Sequence, residues 1–135
     1  MEFTKWDRSF SVGVKEIDEE HKKLLGLIEA LYQIKDRDDR EFVGRVLATL
    51  IDYINVHFYH EEQLLKNVGY TKYEEHHRQH VAFTKKVSEF QKSFEAGDID
   101  LSTRILEYLK VWITTHILVH DKAYEAYIRK HHKYT

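Results

Sequence analysis

The sequence predicts an all-α fold, an up-down-up-down four-helix bundle with an N-terminal arm. The chain has 135 residues, no proline and only 5 glycines, so few residues would interrupt a helix. Hydrophobic residues recur every three or four positions in four long segments, which is the period of an amphipathic helix. Short polar stretches join these segments, and short connections make consecutive helices antiparallel neighbours. We expect a single domain over residues 1–135.

The first element is an arm of residues 1–13, which lacks a helical period. Its aromatic residues Phe3, Trp6 and Phe10 are expected to pack against the bundle. The first helix is predicted near 14–35, and a polar run follows it. Its inward stripe consists of Val14, Ile17, His21, Leu24, Ile28 and Leu31.

The second helix is predicted near 40–67, before Gly69, which suits the left-handed conformation that follows many helices. Its stripe contains polar as well as apolar residues: Val43, Leu47, Leu50, Ile54, His57, Glu61, Leu64 and Val68. The third helix is predicted near 71–96, because Thr71 and Glu74 form a capping-box pattern at its start. Its stripe consists of His76, His80, Phe83, Val87, Phe90 and Phe94.

The fourth helix is predicted near 100–131 and begins at Asp100 or Ser102. Its stripe, taken at regular α-helical spacing, is Ile105, Leu109, Trp112, His116, Val119, Ala123 and Tyr127. All four stripes face one core, so we expect their polar members to be buried close to one another.

Composition excludes several classes of protein. The chain has no cysteine, so it holds no disulfide, thiolate nucleophile, iron–sulfur cluster or cysteine-based zinc site. Its formal net charge of -2 argues against nucleic-acid binding. No apolar run is long enough for a membrane span, and the N-terminus lacks the apolar core of a signal peptide. We therefore expect a cytoplasmic protein, and we expect it to act as a monomer.

Histidine is the unusual feature of this composition, with ten copies in the chain. A single histidine on an apolar stripe is usually a core residue with one hydrogen bond. Here all four stripes carry at least one, and the second stripe also carries Glu61. Burying so many imidazoles and a carboxylate without partners would be costly. A metal site removes that cost, so the pattern predicts metal binding.

The spacing of these residues suits metal ligands. His57 and Glu61 form an HxxxE pair, and His76 and His80 form an HxxxH pair. Residues four apart lie on the same helix face in adjacent turns, so each pair can present two ligand atoms to one site.

The fourth helix leaves a choice between two partners for His116. His120 follows it by four residues and Asp121 by five. Regular helical periodicity favours His120, because a fifth residue is rotated away from the first. Metal chemistry favours Asp121, because a second carboxylate can span two metal ions and offset their charge.

The order of these residues resembles that of the hemerythrins, the non-haem di-iron dioxygen carriers: His21, then HxxxE at 57–61, HxxxH at 76–80 and HxxxxD at 116–121. The resemblance covers nearly the whole chain, including Trp6-Asp7 and the segment 11–14 ahead of the first of these histidines. In its single-domain form the chain is similar to the bacterial hemerythrins. The resemblance selects Asp121 over His120.

The resemblance implies a cofactor of two iron ions with a bridging hydroxide or oxide. The metal ligands that it implies are His21, His57, Glu61, His76, His80, His116 and Asp121. Both carboxylates would bridge the irons. One iron would be completed by His76, His80 and His116, and the other, with His21 and His57, would keep a position open for dioxygen. The implied dioxygen pocket consists of Leu24, Phe58, Trp112, Ile113 and Ile117.

The function that the resemblance implies is reversible dioxygen binding rather than catalysis. Its purpose would be storage, transport or delivery of oxygen to an oxygen-consuming enzyme. The alternative is an oxygen- or redox-sensing domain that acts through a partner protein. Sensors of this sort usually carry a fused output domain, for which this length leaves no room, so the partner would be a separate chain.

Overall fold

The computed structural model describes residues 3–98, 100 and 103–131, and its regular elements are all helical. In chain order they are a 3₁₀ turn at Arg8–Phe10, α1 at Lys15–Ile34, α2 at Arg40–Asn67, α3 at Tyr73–Glu95, α4 at Thr103–Thr115, a π-helical segment at His116–Asp121 and α5 at Lys122–His131. The last three run on without a break and form the fourth helix of the bundle. The predicted all-α four-helix bundle is thus confirmed.

Some predicted features lie outside the described residues. These are Ser102 as a start of the fourth helix, the first two residues of the arm, and residues 132–135. Within the described residues, no helix combines the length and the apolar character that a membrane crossing requires.

Packing brings α1 against α2 and α4, and α2 against α3. The main apolar core runs between the four helices, and Phe3, Trp6 and Phe10 of the arm pack against it as predicted. Phe3 also stacks on Tyr32 of α1, with ring centroids 4.3 Å apart. The arm therefore covers part of the bundle rather than extending away from it.

The start of α1 is tied to the arm and to α5. Asp18 accepts hydrogen bonds from the Ser11 hydroxyl at 2.5 Å and from the Val12 amide at 2.8 Å. Lys122 of α5 donates to the carbonyl oxygen of Ser11 at 2.7 Å. These contacts join the segment ahead of α1 to the start of α5.

Helix boundaries follow local chemistry in most cases. Asp39 caps α2 by accepting a hydrogen bond from the Phe42 amide, and Gly69 has the left-handed φ of 65° expected after that helix. The predicted capping box at Thr71 is wrong, because α3 begins at Tyr73 without a side-chain cap. The Tyr73 amide instead donates to the Tyr70 carbonyl, so a backbone turn precedes the helix.

The fourth helix departs most from its predicted form. The stripe was predicted to continue from His116 through Val119 and Ala123, but Val119 is 55% exposed and Ala123 is exposed as well. The residues that are buried instead are Tyr124 and Ile128, each one position later than predicted. The π segment causes the difference, because its wider turn takes up one extra residue and delays the stripe by one position.

Candidate metal centre

Seven polar side chains from all four helices of the bundle meet in its interior. None of them is more than 5% exposed, and they are the residues that the sequence predicts as metal ligands: His21, His57, Glu61, His76, His80, His116 and Asp121. α1 supplies the first, α2 the next two, α3 a histidine pair, and the π segment the last two. The structure therefore brings all seven predicted residues together.

These side chains form two groups that share Glu61. One group consists of Glu61, His76, His80 and His116, and the other of His21, His57, Glu61 and Asp121. Within each group, one potential ligand atom per residue lies within 4.8 Å of the others. Each group is thus compact enough to surround one metal ion.

The first group contains three imidazole nitrogens that face one another. Nε2 of His116 lies 3.0 Å from Nε2 of His80 and 3.2 Å from Nε2 of His76. Oε1 of Glu61 lies 2.7 Å from Nε2 of His76 and 3.0 Å from Nε2 of His80. Neutral imidazole nitrogens with converging lone pairs are an arrangement that a metal ion satisfies.

Each carboxylate directs one oxygen toward each group. Glu61 turns Oε1 to the first group, and its Oε2 lies 3.6 Å from Nε2 of His57 and 3.7 Å from Nε2 of His21. Asp121 has Oδ1 3.2 Å from Nε2 of both His76 and His116, while its Oδ2 lies 3.2 Å from Nε2 of His21. This geometry suits two carboxylates that link two metal ions.

Unpartnered polar atoms also indicate that the cluster suits a cation. Both ring nitrogens of His21 and both carboxylate oxygens of Asp121 are buried, and none has a hydrogen-bond partner within the described part of the chain. Such groups are costly to bury, and a bound cation offsets that cost. The donor set of imidazoles and carboxylates fits iron.

The π segment decides which residue accompanies His116. Because its turns are wider than those of an α-helix, a residue five positions later returns to the same face. Asp121 is accordingly fully buried in the cluster. His120, which regular periodicity favours, lies outside it, with Nδ1 3.4 Å from Nε2 of Gln79.

The charges inside the cluster shift the pKa values of its members. Burial alone would lower the pKa of His21 and His76, but contacts with Asp121 and Glu61 outweigh it and raise each value to about 9. Burial keeps the pKa of His57 below its usual range. Without a metal, protons therefore compensate the carboxylates, and metal ions must displace them.

Both carboxylates are held in the ionised form. Burial opposes ionisation of Glu61, but hydrogen bonds from the surrounding histidines lower its pKa. For Asp121, burial and the neighbouring charge of Glu61 oppose ionisation, and contacts with His116 and His21 outweigh them, so that its pKa is also lowered. Ionised carboxylates are the form that binds metal.

Further polar residues behind the cluster were not predicted from the sequence. Nδ1 of His57 donates to Glu20 and Nδ1 of His80 donates to Glu62, each at 2.8 Å. A carboxylate on the far nitrogen fixes the orientation of an imidazole and leaves the other nitrogen free for a metal. Both acids directly neighbour a cluster residue in the sequence, but nothing in the helical stripes distinguishes them from surface acids.

Tyr124 is a second residue that the sequence interpretation missed. Its hydroxyl donates to Oε2 of Glu61 at 3.1 Å, and the side chain is fully buried. Burial and the nearby charge of Glu61 raise its pKa well above the usual range, so it stays a hydrogen-bond donor. The missing signal was the phase shift of the π segment, which moves Tyr124 onto the buried face.

The predicted dioxygen pocket residues lie around one small apolar cavity. Its volume is about 10 Å³, enough for about one water-sized molecule. Three cluster histidines and Asp121 line it together with Ile54 and the five predicted residues Leu24, Phe58, Trp112, Ile113 and Ile117. The aromatic residues also stack on the histidines: Phe58 on His80 with centroids 3.8 Å apart, and Trp112 on His116 at 4.5 Å.

Comparisons with known proteins agree with this geometry. Residues 12–132 match the family described as Hemerythrin, the hemerythrin HHE cation binding domain. A bacteriohemerythrin of Stenotrophomonas maltophilia (strain R551-3) is 31% identical over 126 residues, which cover 93% of this chain and 82% of that protein. A hemerythrin-like protein of Naegleria gruberi is 31% identical over 121 residues, 90% of each chain. The crystal structure of a wild-type hemerythrin superimposes with a TM-score of 0.88 at 26% identity and covers 92% of this chain and 96% of its own.

Proposed function

This chain belongs to the hemerythrin family, and from that premise we propose that it binds dioxygen reversibly at a pair of non-haem iron ions. The observation that carries the proposal is the buried cluster, in which two groups of ligand atoms share Glu61. The role of the protein is to store, transport or deliver oxygen, in the last case to an oxygen-consuming enzyme.

The seven clustered residues would hold the two ions. Glu61 and Asp121 would bridge them, since each carboxylate has one oxygen near each group. Iron bound there would supply electrons to dioxygen and take them back on its release. The protein itself supplies fixed imidazoles, because Glu20 and Glu62 orient two of them, and Tyr124 orients Glu61.

The apolar cavity is the proposed dioxygen pocket, and its task is to exclude water and anions. Leu24 is 1% exposed and Ile113 is 3% exposed, so both present only hydrocarbon to the space beside His21 and His116. Water or anions at the iron favour its irreversible oxidation. A small cavity with a largely apolar lining therefore supports binding that stops short of a reaction.

An optical experiment tests the proposed function directly. The iron-loaded protein is reduced without air, and its spectrum is taken before air is admitted, in air, and after air is removed. We expect a visible charge-transfer band that appears with oxygen and fades when oxygen is withdrawn. An immediate, irreversible diferric spectrum without that band would contradict reversible binding.

Substitutions in the cavity test the pocket separately. Leu24→Gln and Ile113→Gln should speed oxidation of the iron in air, while both ions stay bound, because each brings a polar group and water to the site. Val111→Gln is the matched control, since Val111 also lies on α4 but is 50% exposed. If all three variants oxidise at the rate of the unaltered protein, the pocket assignment is wrong.

A further inference from the structure

A second, polar cavity of about 210 Å³ lies beside the metal cluster and is open to solvent. It is formed by α3, by the π segment and by α5. Its rim includes the exposed residues Lys72, Glu75 and Ala123, and its wall includes Gln79 and His76. The proposed function does not use this cavity.

The size of the cavity suits a hydrated metal ion. A small divalent ion in water is surrounded by about six water molecules, so it needs far more room than a single water molecule does. The polar cavity can hold such an ion, whereas the apolar cavity of about 10 Å³ cannot. The cluster itself is at most 5% exposed, so an ion needs a passage to reach it.

His76 separates this cavity from the cluster. Of the seven cluster residues, all of which the structure describes, only His76 lines the polar cavity. Nδ1 of His57 and of His80 is held by a carboxylate at 2.8 Å. Nδ1 of His76 has no such carboxylate partner among the described residues, and the hydrogen bonds of its ring there are those of Nε2, to Glu61 at 2.7 Å and to His116 at 3.2 Å. The ring is therefore held from the cluster side alone.

We propose that the polar cavity is the route by which a hydrated divalent metal ion reaches the cluster, and that His76 turns aside to admit it. This inference rests on the proposed function, because it presupposes that the cluster binds metal. Gln79 supports the route, since its Oε1 is buried without a hydrogen-bond partner in the described part of the chain. Once the side chain turns into the cavity, that oxygen can replace one water of the ion as it loses its hydration shell.

Two charges at the rim should act in opposite directions. Glu75 attracts a cation, and its charge reaches into the cavity, where together with burial it raises the pKa of Tyr70. Lys72, also on the rim, repels a cation. Local charges change association rates through the field they create at the mouth of a cleft.

The test measures how fast the metal-free, full-length protein takes up Co²⁺, followed by stopped-flow absorbance. Glu75→Gln should slow uptake and Lys72→Gln should speed it, each by about threefold, because one charge changes at the mouth. Ala123→Leu should slow uptake by a similar factor, since it narrows the opening. The final spectrum and the amount of metal bound should not change in any of these variants.

Matched controls separate a local passage from general opening of the bundle. Glu74→Gln removes the neighbouring exposed charge, and Ala126→Leu enlarges another exposed alanine of α5; neither residue lines the cavity. Both should take up Co²⁺ at the rate of the unaltered protein. Equal rates in Ala123→Leu and Ala126→Leu, or the same sign of change for Glu75→Gln and Lys72→Gln, would overturn the proposed route.

The proposed function fails by a different result. If the unaltered protein binds no metal at equilibrium, the cluster is not a metal site at all. If it binds two ions per chain but the uptake rate is unchanged by the rim substitutions, only the proposed route is wrong.

Discussion

The cluster residues of α2 and α3 and those of the π segment are placed by different helical geometries. In α2 and α3, the pairs His57 with Glu61 and His76 with His80 use the four-residue spacing of an ordinary α-helix. The π segment instead brings His116 and Asp121 to one face with a spacing of five. Two residues can therefore share a helix face at different sequence spacings, because the number of residues per turn can change locally.

This difference has consequences beyond the cluster. In α2 and α3, the apolar stripe continues in phase through the cluster residues. In the fourth helix, the stripe after His116 is delayed by one residue, which buries Tyr124 and lets it reach Glu61. The one extra residue of the π segment thus places Asp121 in the cluster and also places Tyr124 against Glu61.

Single-residue deletions should separate the two geometries most strongly. Deleting Tyr59, which is 63% exposed, would rotate the rest of α2 out of phase and cost more than about 4 kcal/mol of unfolding free energy. Deleting Leu118, which is 45% exposed, would turn the π segment into a regular turn and keep Asp121 on the face of His116; we expect a loss of about 1 kcal/mol. Denaturant unfolding of the metal-free variants measures both. Equal losses of unfolding free energy in the two variants would contradict the view that the π segment accommodates one extra residue.

A substitution at the end of the π segment should have the next largest effect. Asp121→Asn keeps the shape of the side chain but removes the charge that would offset two metal ions. We expect metal affinity to fall by at least about 100-fold and one ion to be lost. Competition with a chelator measures this, and Glu107→Gln, an exposed acid on α4, is the control. Retention of both ions at unaltered affinity would contradict the role of Asp121 as a ligand and favour His120 in its place.

Metal binding by the α2 and α3 residues should also weaken when a carboxylate that orients one of their imidazoles is removed. Glu62→Ala removes the acceptor for Nδ1 of His80, so the imidazole loses its fixed orientation. We expect metal affinity to fall by roughly 10- to 100-fold. Glu62→Gln should lose less, because its amide oxygen can still accept that bond, whereas Glu74→Ala, at an exposed position on α3, should have no effect. Equal losses in the alanine and glutamine variants would point to charge rather than orientation.

The stability of the metal-free protein should depend on pH through Asp121. The pKa of His21 and His76 is raised from 6.5 to about 9, so the folded state holds these protons more tightly than the unfolded state. Their contribution is complete below pH 6.5 and is lost as the pH rises through about 9. We expect the free energy of unfolding to fall by several kcal/mol between about pH 6.5 and 9.5, because the two groups contribute about 3 kcal/mol each. Urea titrations measure this, and the dependence should be shallower in Asp121→Asn; an identical slope would assign the shift to Glu61 alone.

The sequence predicted those parts of the molecule that follow regular periodicity. The helices and the stripes through His57 and His76 depend on a spacing that an α-helix repeats, so the pattern is enough. Asp121 could not be obtained in that way, because the α-helical period points to His120. Metal chemistry favoured Asp121 and the resemblance to a known family selected it, whereas no local signal in the segment indicates a wider turn.

Other features escaped prediction because they depend on contacts between helices. Glu20 lies on α1 and Glu62 on α2, and their partners His57 and His80 lie on α2 and α3. Such pairs are distant in the chain and leave no periodic trace. At Thr71 the sequence instead contains a signal that the structure does not follow. The residues fit the capping-box rule, but the backbone turn after Tyr70 takes the place of that cap.

The way in which Glu61 and Asp121 divide their oxygens has a consequence for partly loaded protein. Each carboxylate has one oxygen at each group of ligand atoms, so an ion in one group would hold both bridging side chains in place for the second ion. Binding of the second ion then requires less ordering than binding of the first, which is positive cooperativity. With metal in short supply, the population would divide into empty and doubly occupied molecules, and singly occupied ones would be scarce.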